Sequence, residues 1–181
     1  MKTESTVKYV LRLALTLLII TAVVAAVLAG VNSITKPAID KLTAEKTQKA
    51  IELVLPGGGE SVDFPATDLV SKVYASDTGY AIEVTPGGFD NTITMMVGVD
   101  NEGKVLGISV VSHTETAGLG AVAAEKTSKG EDFRSQFVGT FGSVAVTKDG
   151  GEVNAITGAT ITSRAICAGV NAALDCVAGL G

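Results

Sequence analysis

The chain has 181 residues, with 14 lysines and arginines against 19 aspartates and glutamates, one histidine, two cysteines and a formal net charge of −5. That length allows one membrane element plus one domain of ordinary size, and the hydrophobic fraction of 46% is inflated by the N-terminus, so it does not signal a multispan protein. The first twelve residues carry +2 (Lys2, Lys8 and Arg12 against Glu4) and leave −7 for the rest, which with three Tyr, five Phe and no Trp argues against nucleic acid as a partner.

Residues 13–31 contain no charged side chain, and Val10 and Leu11 extend the apolar stretch beyond Arg12. This is enough to cross a hydrocarbon core of roughly 30 Å. A secretory signal peptide has an apolar region of only about 7–15 residues, so residues 1–34 are expected to form an N-terminal tail and an uncleaved single transmembrane helix. Lys8 and Arg12 abut the apolar run, whereas Asn32 and Ser33 separate it from Lys36. That asymmetry favours a cytoplasmic N-terminus.

A mixed-charge amphipathic helix is predicted over 37–55, ended by Pro56-Gly57-Gly58-Gly59, so that residues 35–60 form a helical stalk and turn. Val-, Ile- and Thr-rich segments at 69–75, 80–85, 92–99 and 105–111 read as strands separated by short turns. Spacing this tight implies an antiparallel meander, because parallel strands need longer crossovers. Short helices are predicted at 119–126 and 131–137 with Gly130 between them, two short strands at 144–147 and 153–156, and a largely buried helix at 163–178. The fold class is α+β: a transmembrane helix, then a domain at 61–181 in which helices pack on an antiparallel sheet.

Thr157-Gly158-Ala159-Thr160-Ile161-Thr162-Ser163 is a hydroxyl-rich turn opening onto that last helix. A helix N-terminus offers unpaired amides and the positive end of the macrodipole, which suits a phosphate, and Gly158 lets the backbone turn sharply. The same residues also supply several candidate N-caps. Arg164, in the first turn, either pairs with a phosphate or is exposed. No His or Lys adjoins Thr160 in sequence to take its proton, so self-modification is not expected. Gly118-Leu119-Gly120-Ala121-Val122-Ala123 matches a dinucleotide-binding pattern only formally, since no parallel strand with an acid follows. His113 alone reads as a hydrogen-bonded structural residue, and Glu115 alone as a solvated or helix-capping one. Cys167 and Cys176, nine residues apart on one helix, lie about 13.5 Å from each other, beyond the roughly 7 Å that a disulfide tolerates. No metal site is expected.

Asn154-Ala155-Ile156-Thr157-Gly158-Ala159-Thr160 resembles the flavinylation motif of the FMN-binding domain found in the G subunits of Rnf complexes and the C subunits of Na+-translocating NADH:quinone reductases. His113-Thr114-Glu115-Thr116-Ala117-Gly118-Leu119-Gly120 is similar to the loop near the flavin in that family. The resemblance covers nearly the whole chain, and the length favours the Rnf branch. It implies FMN bound covalently through a phosphoester at Thr160, with Thr157, Gly158, Ala159, Glu115, Thr116, Leu119 and Gly120 as cofactor-binding residues and no catalytic residue of the chain's own. It further implies an electron-transfer subunit of an ion-translocating ferredoxin/NAD oxidoreductase in the inner membrane, with its domain extracytoplasmic. The partners implied are the other membrane subunits of the Rnf complex and a flavin transferase of the ApbE type that uses FAD and Mg2+. One departure stands out: the motif usually begins with Asp, and this chain has Asn154. The rival readings are an FMN-binding membrane protein of another electron-transfer chain and a non-redox assembly domain.

Overall fold

The computed structural model describes residues 2–64 and 67–180. The chain divides into two compact units, Met1–Ala44 and Glu45–Gly181. A long helix, α1 (Lys2–Val54), contains the predicted membrane segment; its apolar stretch has a mean hydropathy of 2.7 and none of it is buried. Pro37 lies inside α1, so the separate second helix predicted from residue 37 merges with the first. Proline's fixed φ is compatible with a helix and removes only one amide donor, while the flanking Lys, Leu, Ala and Glu residues are good helix formers.

In the second unit, β1 (Glu60–Val62), β2 (Val70–Ser76), β3 (Gly79–Val84), β4 (Thr94–Asp100) and β5 (Val105–Ser112) form one sheet in sequence order. Every neighbouring pair is antiparallel, as expected of a meander. The three-residue β1 is too short to carry a periodic signal, which is why sequence reading misses it. The strands are covered on both faces. Ile82, Val84, Met95, Val97 and Val99 pack with Ile166, Val170, Ala173 and Val177 of the C-terminal helix. On the other face, Ala81, Met96 and Val111 pack with Ala50, Ile51, Val54 and Leu55 at the end of α1. Double coverage explains why β3 and β4 are almost continuously buried rather than alternating.

Three expectations are corrected between the sheet and the last helix. The helix predicted at 119–126 is only a 3-10 turn, Gly120–Ala123. Gly130 does not separate two helices; it lies within α2 (Ser128–Ser135), whose N-cap is Thr127. A β-carbon at Gly130 would strike the carbonyl oxygens of Val122 and Glu125, so close packing of α2 on the preceding turn selects glycine there. The two strands predicted at 144–147 and 153–156 reduce to one parallel bridge, Val146↔Val153, around a 3-10 turn at Thr147–Asp149. The connection is too short for a parallel crossover, so pairing stops at a single bridge. The last helix, α3 (Thr160–Leu180), begins three residues before the expected start. It is also long and apolar, but 56% of its apolar window is buried, as befits a core helix. Cys167 and Cys176 are free thiols, and burial pushes the Cys167 thiol up to about 11.

Gly98 faces the end of α1, where an added β-carbon would collide with the Val54 carbonyl oxygen. Gly98→Ala is therefore expected to destabilise the second unit by about 1–3 kcal/mol through overpacking. A thermal melt of the detergent-solubilised chain checks this; an unchanged midpoint would show that α1 does not seat on the sheet there.

Candidate functional site

Thr160 is the first residue of α3 and is half-buried. The preceding chain turns at Gly158, whose φ of +78° is reached at little cost only without a β-carbon. The segment is fastened by Ser163, which is fully buried. Its Oγ accepts the Ile156 N–H at 3.0 Å and donates to the Ala159 carbonyl at 2.9 Å. With Ser163 holding the turn, Thr160 lines an open cavity, near first-turn amides that have no intrahelical acceptor.

The opposite wall comes from the loop after β5. Glu115 is buried there, contrary to its reading as a solvated or helix-capping residue. Its Oε2 accepts the Thr162 hydroxyl at 2.5 Å, and its Oε1 accepts the backbone N–H of Phe89 at 2.8 Å and of Asp90 at 3.4 Å. The carboxyl group sits between Gly88 and Gly120, and a β-carbon at either would run into it. One side chain thus joins the β3–β4 loop, the β5 loop and the start of α3.

The resulting cavity of about 310 Å³ is lined by Phe89, Lys148 and Ile161 together with Glu115, Thr116, Leu119, Gly120, Gly158, Ala159, Thr160 and Thr162. Seven of the eight predicted site residues therefore meet in one place. The eighth, Thr157, lies instead on an adjoining cavity of about 650 Å³, with Gly118, Phe133, Gln136 and Asn154. There Gln136 grips the backbone of Asn154, its Oε1 accepting the Asn154 N–H at 2.7 Å and its Nε2 donating to the Asn154 carbonyl at 3.3 Å.

The fold adds a partner to each of two charged side chains. Although no lysine adjoins Thr160 in sequence, the fold brings Lys148 Nζ within 3.5 Å of Thr160 Oγ1. Of the two alternatives for Arg164, exposure is the one observed, with an ion-pair partner in addition. Arg164 donates from Nε and from its terminal nitrogen to the two Asp149 carboxylate oxygens, both at 2.6 Å. His113 is half-buried, and its Nδ1 is buried without a hydrogen-bond partner, so the structural bond expected of it is not made at that atom.

Phe89, Leu119 and Ile161 remain 68%, 43% and 50% exposed around the cavity. A hydroxyl beside helix-terminal amides, with apolar side chains open nearby, fits a ligand that has a phosphate at one end and a flat ring at the other. FMN has that form. Thr162 and Ile161 were visible inside the heptad, and Phe89 follows a Gly-Gly turn in an aromatic-poor chain. Nothing in the sequence flagged Lys148.

The FMN-binding domain family matches residues 88–175, a span that contains both cavity loops and most of α3. The chain is 30% identical to the G subunit of the ion-translocating oxidoreductase complex of Methanosarcina acetivorans, over 94% of this chain and 95% of that protein. It is 29% identical to the G subunit of the Na(+)-translocating ferredoxin:NAD(+) oxidoreductase complex of Acetobacterium woodii, over 93% and 91% respectively. To the G subunit of the ion-translocating oxidoreductase complex of Photorhabdus laumondii it is 32% identical, over 84% and 82%.

Thr162→Val should leave Glu115 Oε2 without its donor and cost about 1–3 kcal/mol in chemical denaturation; an unaltered midpoint would mean that the bond adds nothing. The hydrogen bond from Arg164 holds the Asp149 carboxyl below its ordinary 3.8. Because the folded value is the lower one, the ion pair's contribution is complete above 3.8 and fades as pH falls toward the folded value. A carboxyl 13C titration should place the Asp149 midpoint below 3.8; a midpoint at or above it would show the pair to be open in solution.

Proposed function

The chain belongs to the family of G subunits of ion-translocating oxidoreductase complexes, and on that premise we propose that it is a membrane-bound electron-transfer subunit whose FMN is esterified to Thr160. The observation that carries this reading is the position of Thr160, at the N-terminus of α3 and on the cavity shared with the Glu115 loop. Bound FMN supplies one- and two-electron redox chemistry; the protein supplies place and surroundings. Thr160 tethers the phosphate and the α3 amides receive its negative charge. Phe89, Leu119 and Ile161 give the ring an apolar bed, and Glu115, although it lines the cavity, serves chiefly to hold the loops on which two of those side chains stand.

Attachment requires a second protein. A flavin transferase of the ApbE type, with Mg2+, would present FAD to Thr160. The threonine oxygen then forms the new P–O bond, the pyrophosphate bond breaks, AMP leaves with the bonding electrons, and the hydroxyl proton passes to a base of the transferase. Lys8 and Arg12 flank the apolar stretch of α1 on its N-terminal side, which supports a cytoplasmic N-terminus in the inner membrane, a single span and an extracytoplasmic domain. That stretch contains no acid or base and offers no ion path of its own. The subunit accordingly relays electrons, and ion movement belongs to its membrane partners in the Rnf complex.

Co-expression with an ApbE-type transferase tests the bond. Wild-type protein on a denaturing gel should fluoresce under ultraviolet light, and Thr160→Ala should be dark. A dark wild-type band would remove covalent FMN, and a bright Thr160→Ala band would move the bond to another residue.

A further inference from the structure

Lys148 reaches Thr160 from a turn twelve residues upstream, and that turn is built rather than loose. Thr147 N–H donates to the Val153 carbonyl at 2.9 Å, and Asp149 N–H and Gly151 N–H both donate to the Val146 carbonyl, at 2.8 and 3.1 Å. Val146 is buried, and Gly150 closes the turn at a φ of +87°. Gly151 has no room for a β-carbon, which would strike the Ala145 carbonyl oxygen. The turn is also clipped to α3 by the two bonds between Asp149 and Arg164, and Arg164 lies one helical turn beyond Thr160. The clip fixes the height at which Lys148 meets α3. It also gives the carboxylate next to Lys148 its two hydrogen bonds, both from Arg164, while no hydrogen bond joins Asp149 to Lys148 among those of the described residues.

Among the described residues lining the Thr160 cavity, Lys148 is the only basic one. A phosphodiester keeps one negative charge, and the partial charge of a helix terminus is about half a unit. A lysine ammonium within hydrogen-bonding reach of the bridging oxygen supplies the remainder as a compact point charge. We propose that Lys148 is the counter-charge of the phosphodiester at Thr160: its ammonium donates to the phosphoryl oxygens, fixing the end of the tether from which the ring extends. This rests on the reading of Thr160 as the attachment residue and adds to it a residue that neither the Thr-Gly-Ala-Thr motif nor the Glu115 loop contains. Lys148 acts as a binding residue for the anion and takes no part in electron transfer.

The experiment uses the full chain co-expressed with an ApbE-type transferase, as wild type, Lys148→Gln and Lys148→Arg. Lys148 is exposed, so neither substitution threatens the fold. Gel fluorescence reads loading, and the 31P resonance of the purified loaded protein reads the environment of the phosphodiester. The expected result is a displaced 31P resonance in Lys148→Gln and a near-wild-type one in Lys148→Arg, with the wild-type resonance moving toward the Gln position as salt screens the exposed pair. Loss of loading in Lys148→Gln with loading kept in Lys148→Arg would equally support the assignment, since charge is then what loading requires. Coincident wild-type and Lys148→Gln resonances would overturn it while leaving Thr160 attachment intact. Two variants that behave alike, both loaded with one resonance or both dark, would overturn it as well, because shape and not charge would then govern. A dark wild-type band would instead sink the attachment reading itself.

Discussion

The buried carboxyl group of Glu115 is the junction on which the site depends. Three segments distant in sequence converge on its two oxygens: the loop before β4 through two backbone amides, the loop after β5 through Glu115 itself, and α3 through Thr162. A buried polar group is tolerable only when its hydrogen bonds are made, so each segment constrains the other two. The glycines on either side of the carboxyl group reflect the same constraint. Gly88 and Gly120 leave it room that any side chain would fill. Without this junction, Phe89 and Leu119 would have no fixed relation to Thr160.

Around that junction the site separates its chemistry by position. At the start of α3 lie Thr160, unpaired amides and Lys148, a cationic environment suited to a phosphate. Beyond it, Phe89, Leu119 and Ile161 expose apolar surface that a soluble domain ordinarily buries. The division matches a cofactor with an anionic tether and a flat, weakly polar ring. Ser163 contributes by holding the turn before α3 through its two hydrogen bonds, to the Ile156 amide and the Ala159 carbonyl.

The sheet explains why such a site stays put. Helices cover both of its faces, and the end of α1 seats against Gly98 and Met96 on the side opposite α3. Since α3 packs on β3 and β4 through Ile166, Val170 and Ala173, its first turn is held by a core and not by the loop alone. The position of Thr160 is inherited from that packing.

Much of this was legible in the residues themselves. Four strands, their antiparallel order, the apolar N-terminal helix and the core helix follow from period and turn chemistry, which are local properties. Thr160 and Gly158 were singled out because a hydroxyl-rich turn opening a helix has a physical reason, whereas Leu119 and Gly120 were singled out only by family resemblance. The continuity of α1 through Pro37 was not legible, because proline lowers helix propensity without forbidding a helix. The single parallel bridge at Val146 was also hidden, since Val-rich segments look like strands whether or not the connection lets them pair. What the sequence by itself determined, then, was the apolar N-terminal helix, the four-strand antiparallel meander and the C-terminal core helix with the hydroxyl-rich run at its start. Only the tertiary structure decided that Glu115 is buried rather than solvated, that Arg164 is committed to Asp149, and that Lys148 stands beside Thr160. The reason is that burial, pairing and proximity across twelve or more residues depend on how separate segments meet, and no local pattern encodes that meeting.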